Sequence, residues 1–185
     1  MIPTFLEWLG STRWSIALLE SIHMWPLLES AHVLSLALFV GTAIMMDLRL
    51  VGVVFRGIPV SDFTGRLLPW TKLGFAFMAV TGLLLFYSSP LRYYYNLFFR
   101  IKVILLMAAG ANAWLFHSRV HSRVHEWDNA WSPPRAARLA GFVSLVLWTG
   151  VIFSGRMVAY NWFDCDIQPQ PAFVNWAAGC IMDAQ

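Results

Sequence analysis

Four apolar runs, at about residues 25–50, 67–89, 96–118 and 139–162, are each long enough to cross a lipid bilayer. A hydrocarbon core of roughly 30 Å takes about 20 helical residues to cross, and within it every backbone polar group must be satisfied inside its own segment. The runs are continuously apolar rather than alternating, so each reads as a helix. The fold class that follows is an all-α integral membrane protein, with four transmembrane helices in a bundle. N-terminal interfacial helices over residues 1–24 precede the bundle, a short periplasmic C-terminal tail over 163–185 follows it, and the whole forms a single membrane domain. Composition rejects the soluble alternative: 12% of residues are charged, against roughly a quarter in soluble domains.

Residues 3–22 carry Phe5, Trp8 and Leu9 at helical spacing, a break at Gly10, and Ser11 as the expected N-cap of a second short helix; these read as helices lying at the interface, with a soluble cap packed on the bundle as the alternative. The N-terminus lacks a basic region and a continuous apolar stretch before Arg13, so the first span is expected to serve as the targeting signal. Orientation follows from the basic residues. Arg49, Arg56, Arg66 and Lys72 flank one connection, and Arg119, Arg123, Arg135 and Arg138 the other on the same side. Arg13, Arg92, Arg100, Lys102 and Arg156 lie opposite. The larger group belongs in the cytoplasm, which makes the chain a multi-pass protein of a bacterial inner membrane with both termini periplasmic. Trp25, Tyr87, Tyr93, Tyr94, Tyr95, Tyr160 and Trp162 then form an outer aromatic belt. Cys165 and Cys180 fall on the oxidising side, where a disulfide is expected, with two free thiols or a tail held by a partner as the alternatives. The net charge of +3 is scattered between apolar runs and forms no basic stripe, so no nucleic-acid partner is expected. The expected partners are the lipid bilayer and other membrane subunits, in a homo- or hetero-oligomer.

The first span holds the chemistry. Glu29, His32, Ala43 and Asp47 share one helical stripe, and ionisable groups are costly in lipid unless they face a bundle interior, a cofactor or another polar helix. Counting at about 1.5 Å per residue puts Glu29, His32, Arg100, Lys102 and Arg156 in one layer, roughly 6 to 10 Å below the outer boundary. An imidazole with cations nearby suits haem b: His32 as an axial ligand, Arg100, Lys102 or Arg156 toward propionates, and Glu29 orienting the ring or moving a proton. Met157 stands near the right depth to oppose His32. A quinone is the other candidate occupant, and a Glu–His pair that pins helix packing is the bland alternative.

A second group, His117, His121 and His125 in HSRVHSRVH, recurs every four residues at the opposite end of the third span. His117 or His121 is a candidate haem ligand, but at that depth neither shares one iron with His32. The alternatives are divalent metal binding or a solvated basic helix end. Met45 and Met46 beside Asp47 raise copper transport, although methionine is also ordinary core filler. Ala108, Ala109, Gly110 and Ala111 permit close helix approach. No phosphate loop, Ser-His-Asp arrangement or zinc-protease motif is present, so the chain is read as a subunit of a redox complex rather than an enzyme alone.

The stretch HVLSLALFVGTAIMMDLRLVG, preceded by WPLLESA and by FLEWLGSTRWS, resembles a functionally uncharacterised family of small bacterial four-helix inner-membrane proteins. The similarity covers all four spans and is most specific around His32 and at Asp47-Leu48-Arg49-Leu50. The architecture also resembles membrane cytochromes of the b561 type and the membrane domain of copper-resistance proteins, which implies redox work. The expected function is a haem b-binding electron-transfer subunit linking an outer-face redox partner to the quinone pool. The alternatives are a structural or assembly subunit, and proton or copper transport through Glu29, His32 and Asp47.

Overall fold

The computed structural model describes residues 2–128, 130, 132–160 and 170–180. Among them every regular element is a helix: α1 (Ile2–Gly10), α2 (Arg13–Glu20), α3 (Met24–Val51), α4 (Val60–Ser88), α5 (Pro90–Tyr94), α6 (Leu97–Arg119), a 3-10 segment (His121–Glu126), α7 (Arg135–Ala159) and α8 (Ala172–Ala178). The helices α3, α4, α6 and α7 are long and apolar enough to cross a membrane. The chain is therefore a multi-pass, all-helical protein suited to a lipid bilayer.

Two spans begin earlier than the apolar runs suggest. The first turns of α4 are amphipathic: Val60 and Phe63 are buried, while Asp62 and Arg66 form an exposed ion pair at 3.1 Å. Polar residues in those turns hide the helix from a hydropathy reading. The start of α7 at Arg135 directly follows Pro133-Pro134 and buries Ala137 completely. The other boundaries have local causes. Gly52 closes α3 in the left-handed conformation (φ 83°), its N–H reaching the carbonyls of Leu48 and Arg49. Asn96 caps α6 by accepting from the Phe99 amide at 3.0 Å.

The bundle is centred on α3. In its most apolar 18-residue window 39% of residues are buried, against 6% in α6. It packs on α4 along one side and α7 along the other, and α6 packs on α7. A middle core joins Phe39, Val40 and Met78, with Trp148 edge-on to Phe39 at 4.7 Å. Gly74 allows the α3–α4 approach, since a Cβ there would lie 2.8 Å from the Phe39 amide nitrogen. Gly141 does the same for α3–α7, where a Cβ would lie 2.9 Å from the Asp47 carbonyl oxygen. By contrast, α4 and α6 are not packed along their lengths. They meet at one end, where the rings of Phe86 and Phe99 stack at 5.5 Å beside Tyr93, leaving that flank of the bundle open below.

At the N-terminus, α1 and α2 lie across this same end. Ser15, fully buried, donates to the Tyr87 carbonyl at 2.8 Å, and Thr12 shares a 2.5 Å hydrogen bond with the Tyr87 hydroxyl. Phe5, Trp8 and Trp14 remain exposed, as suits helices at a membrane boundary. Ser11 is not the cap of α2. Its hydroxyl donates back to the Trp8 carbonyl at 2.8 Å, closing the end of α1, and Thr12 occupies the cap position without a side-chain cap bond.

Candidate functional site

His32 faces α4 one helical turn below the aromatic end of the bundle. Its Nδ1 lies 3.0 Å from Thr81 Oγ1, and Thr81 itself donates to the Phe77 carbonyl at 2.7 Å. Since the hydroxyl has a single proton, that back-bond makes it the acceptor toward the histidine. The imidazole also donates to the Met78 carbonyl of α4, so two neighbouring oxygens, Thr81 Oγ1 and the Met78 carbonyl, hold the ring; a proton on Nδ1 satisfies the Thr81 contact. Close approach is possible because the next residue is Gly82, whose missing side chain would stand 3.1 Å from His32 Cε1. Lys102, on α6, is near enough for its charge to act on His32. Its Nζ lies over Gly155 of α7, 3.5 Å from where a Cβ would be. All four spanning helices thus meet in one layer: His32, Thr81 with Gly82, Lys102, and Gly155.

The other residues of the anticipated layer turn elsewhere. Glu29 is exposed and makes no ion pair with a described residue, so Thr81 rather than Glu29 orients the imidazole. Arg100 donates to the carbonyls of Tyr94 (2.9 Å) and Ala177 (3.0 Å), fastening α8 to the bundle end. Arg156 bonds the Tyr160 hydroxyl at 2.7 Å and stacks over its ring. Met157 is half-buried on α7. Cys165 and Trp162 lie outside the described residues, and with Cys165 the Cys165–Cys180 pairing.

At the far end of α6 the histidines do not keep one helical face. The α-helix stops at Arg119, and residues 121–126 are 3-10 with Arg123 off helical geometry, so His125 leaves the four-residue repeat. His117 and His121 stack, ring centroids 5.1 Å apart, with Phe116 at 6.0 Å from His121. Fifteen residues, or about 22 Å of helix, separate His117 from Lys102, so the two histidine groups are distinct sites. Among the described residues no group of three His, Cys, Asp or Glu is placed to hold a metal ion. Met45 points outward while Asp47 is buried, so that cluster does not converge.

Two buried polar groups near this inner end carry more than the sequence reading gave them. Arg49, 1% exposed, donates through Nε (3.0 Å) and Nη2 (2.8 Å) to the Ile58 carbonyl. Asp47 is bonded by Ser144 of α7, and its Oδ2 has no partner among the described residues. Asp128 caps α4, accepting from the Ser61 amide at 2.7 Å and hydroxyl at 2.5 Å. Burial pushes the Asp128 carboxyl up, but the Ser61 bonds, His125 and the Val60 amide outweigh it and hold it below the usual range. Burial, helped by His117 and His125 and opposed by Asp128, holds the His121 imidazole below its ordinary value.

The fold and the layer define a class: a polytopic helical membrane protein with a histidine and a lysine inside its bundle. Residues 5–161 match the model of DUF6644, a family of unknown function, and the chain belongs to that family. No curated protein and no solved structure matches it. The comparisons thus agree with the resemblance to an uncharacterised membrane family and carry no similarity to membrane cytochromes or copper-resistance domains.

Proposed function

We propose that this protein is a membrane electron-transfer subunit in which the His32 layer holds haem b and exchanges electrons with the quinone pool. One observation carries the reading: His32 is held on α4 through its Nδ1 contact with Thr81 and a bond to the Met78 carbonyl, a fixed imidazole inside a membrane bundle. Anchoring of this kind, with one ring nitrogen donating to a protein oxygen, is what an iron-ligating imidazole needs, and on this reading that proton sits on Nδ1. Lys102 supplies a cation at the same depth for a propionate or a quinone oxygen, and the open α4–α6 flank gives a lipid-soluble molecule a lateral way in. Bound haem supplies one-electron chemistry, while the chain's own task is to fix the imidazole, place the cation and exclude water. On this reading the membrane is a bacterial inner membrane with both termini periplasmic, and a partner subunit supplies or accepts electrons at the outer face.

The test is the visible spectrum of protein purified in mild detergent with its native partners, oxidised and then dithionite-reduced, with haem quantified per chain. A sharp reduced α band that disappears in His32→Ala supports the proposal. A colourless protein favours a second reading, a structural or assembly subunit. The observation behind that reading is that His32 fills the notch at Gly82, as a packing device would, while α6 leaves most of its apolar surface for a neighbour.

A further inference from the structure

Three of the seven arginines around the inner end of the bundle have partners. Arg49 bonds the Ile58 carbonyl, Arg56 the Gly52 carbonyl and Arg66 the Asp62 carboxylate. Arg119, Arg123, Arg135 and Arg138 are exposed, and none has a hydrogen bond or an ion pair from its side chain among the described residues. Of these, Arg135 and Arg138 line a surface groove of about 310 Å³ between the end of α3 and the first turns of α7, together with Val51, Leu139 and Phe142. No carboxylate lines it. The spacing i, i+3, i+4, i+7 puts both guanidinium groups at the mouth of the groove and both apolar side chains one to two turns deeper. Val146 and Phe153 continue the same exposed apolar stripe along the spanning helix.

We propose that this groove binds an anionic phospholipid, its phosphate held by Arg135 and Arg138 and an acyl chain laid along Leu139 and Phe142. Guanidinium groups bind phosphate in paired hydrogen bonds, and a basic groove at the end of a transmembrane helix suits a lipid headgroup. The polarity gradient selects an amphiphile over a free anion: the cations sit where headgroups lie, and the groove floor runs straight into the hydrocarbon layer. A soluble phosphate would leave Leu139 and Phe142 without a partner.

The experiment is a titration of the full-length protein in neutral detergent with phosphatidylglycerol or phosphatidylcholine, read by native mass spectrometry and by thermal shift. Phosphatidylglycerol should bind in preference to phosphatidylcholine. At about a factor of five per arginine, R135Q/R138Q should weaken it roughly 30-fold. The control R66Q/K72Q removes the same charge from α4 at the same end and should change binding less than threefold, a difference well under one arginine's share. Phe142→Ala keeps every charge and should weaken long-chain lipid more than a short-chain analogue, which keeps the proposal testable should the double variant misfold. Equal loss in the control would reduce the effect to diffuse charge and overturn the proposal. Full competition by inorganic phosphate would overturn it in favour of a soluble-anion site, and unchanged binding in R135Q/R138Q would overturn it outright.

Discussion

The two ends of the bundle are built from the same residue types and use them differently. At the inner end Arg49 spends two nitrogens on the Ile58 carbonyl, Asp128 takes the Ser61 amide and hydroxyl, and Gly52 turns the chain. Around them Leu50, Val60, Val124 and Ala137 form a closed core backed by Phe116 and Trp127. In the outer half the buried residues of α3 give out above Phe39, the α4–α6 flank is open, and His32 is held by Thr81 and the Met78 carbonyl. Polar groups in low dielectric are costly unless paired, yet pairing alone does not separate the two ends, since Asp47 Oδ2 and Arg49 Nη1 stay buried without a partner among the described residues in the closed half. Enclosure separates them: the polar groups of the inner end are sealed in a core, whereas His32 stands beside an open flank that a ligand can reach.

This contrast can be broken experimentally. The largest effect belongs to Arg49→Ala, which orphans the Ile58 carbonyl and leaves a cavity. It should cost about 3 kcal/mol, read as lost thermal stability in detergent. Next comes overpacking: Gly74→Ala or Gly141→Ala forces α3 away from α4 or α7 and should cost about 1–3 kcal/mol in the same assay. Gly82→Ala meets only an imidazole edge, and a loss as large as that of Gly74→Ala would erase the distinction between the halves. Asp128→Ala removes a helix cap and should cost about 1 kcal/mol. Smallest is Thr81→Val, which should cost less than about 1 kcal/mol in stability while loosening the orientation of His32.

Acid sharpens the same comparison, because Asp128 and His121, two groups outside the spans that their surroundings shift, both lie at the inner end. Asp128 has a depressed folded-state value, so its contribution is present above the unfolded carboxylate value of about 3.9 and is lost as pH falls below it, through the folded value. His121 is also depressed. The unfolded chain therefore takes up its proton first, and stability falls as pH drops from about 6.5 toward the folded value. Thermal stability should accordingly decline in two stages on acidification. His121→Gln should remove the first stage and Asp128→Asn the second, and a profile unchanged by either substitution would contradict the assignment.

The spans were legible in the sequence because continuous apolarity has few other uses, and the depth of Lys102 relative to His32 followed from helical rise alone. Thr81 and Gly82 were not. A threonine and a glycine inside an apolar run look the same whether they face lipid or a neighbouring helix, and interhelical register is set by tertiary packing. Glu29 was assigned inward because it shares a stripe with His32, but α3 leaves the core at its outer half, so the stripe loses its meaning there. Arg100 and Arg156 matched in depth and not in direction, since each found a nearer acceptor. The early start of α4 was hidden by Ser61 and Asp62: Ser61 bonds the capping Asp128, and Asp62 pairs with Arg66 on the exposed face.

The most direct test compares haem content per chain in native membranes carrying His32→Ala with that in membranes carrying His117→Ala together with His121→Ala, each normalised to the amount of folded protein. The account predicts that His32→Ala abolishes the b-type signal while the double variant keeps it. Retention in His32→Ala, or loss confined to the double variant, would place any cofactor at the other end of the bundle and contradict the reading of the outer layer as the ligand site.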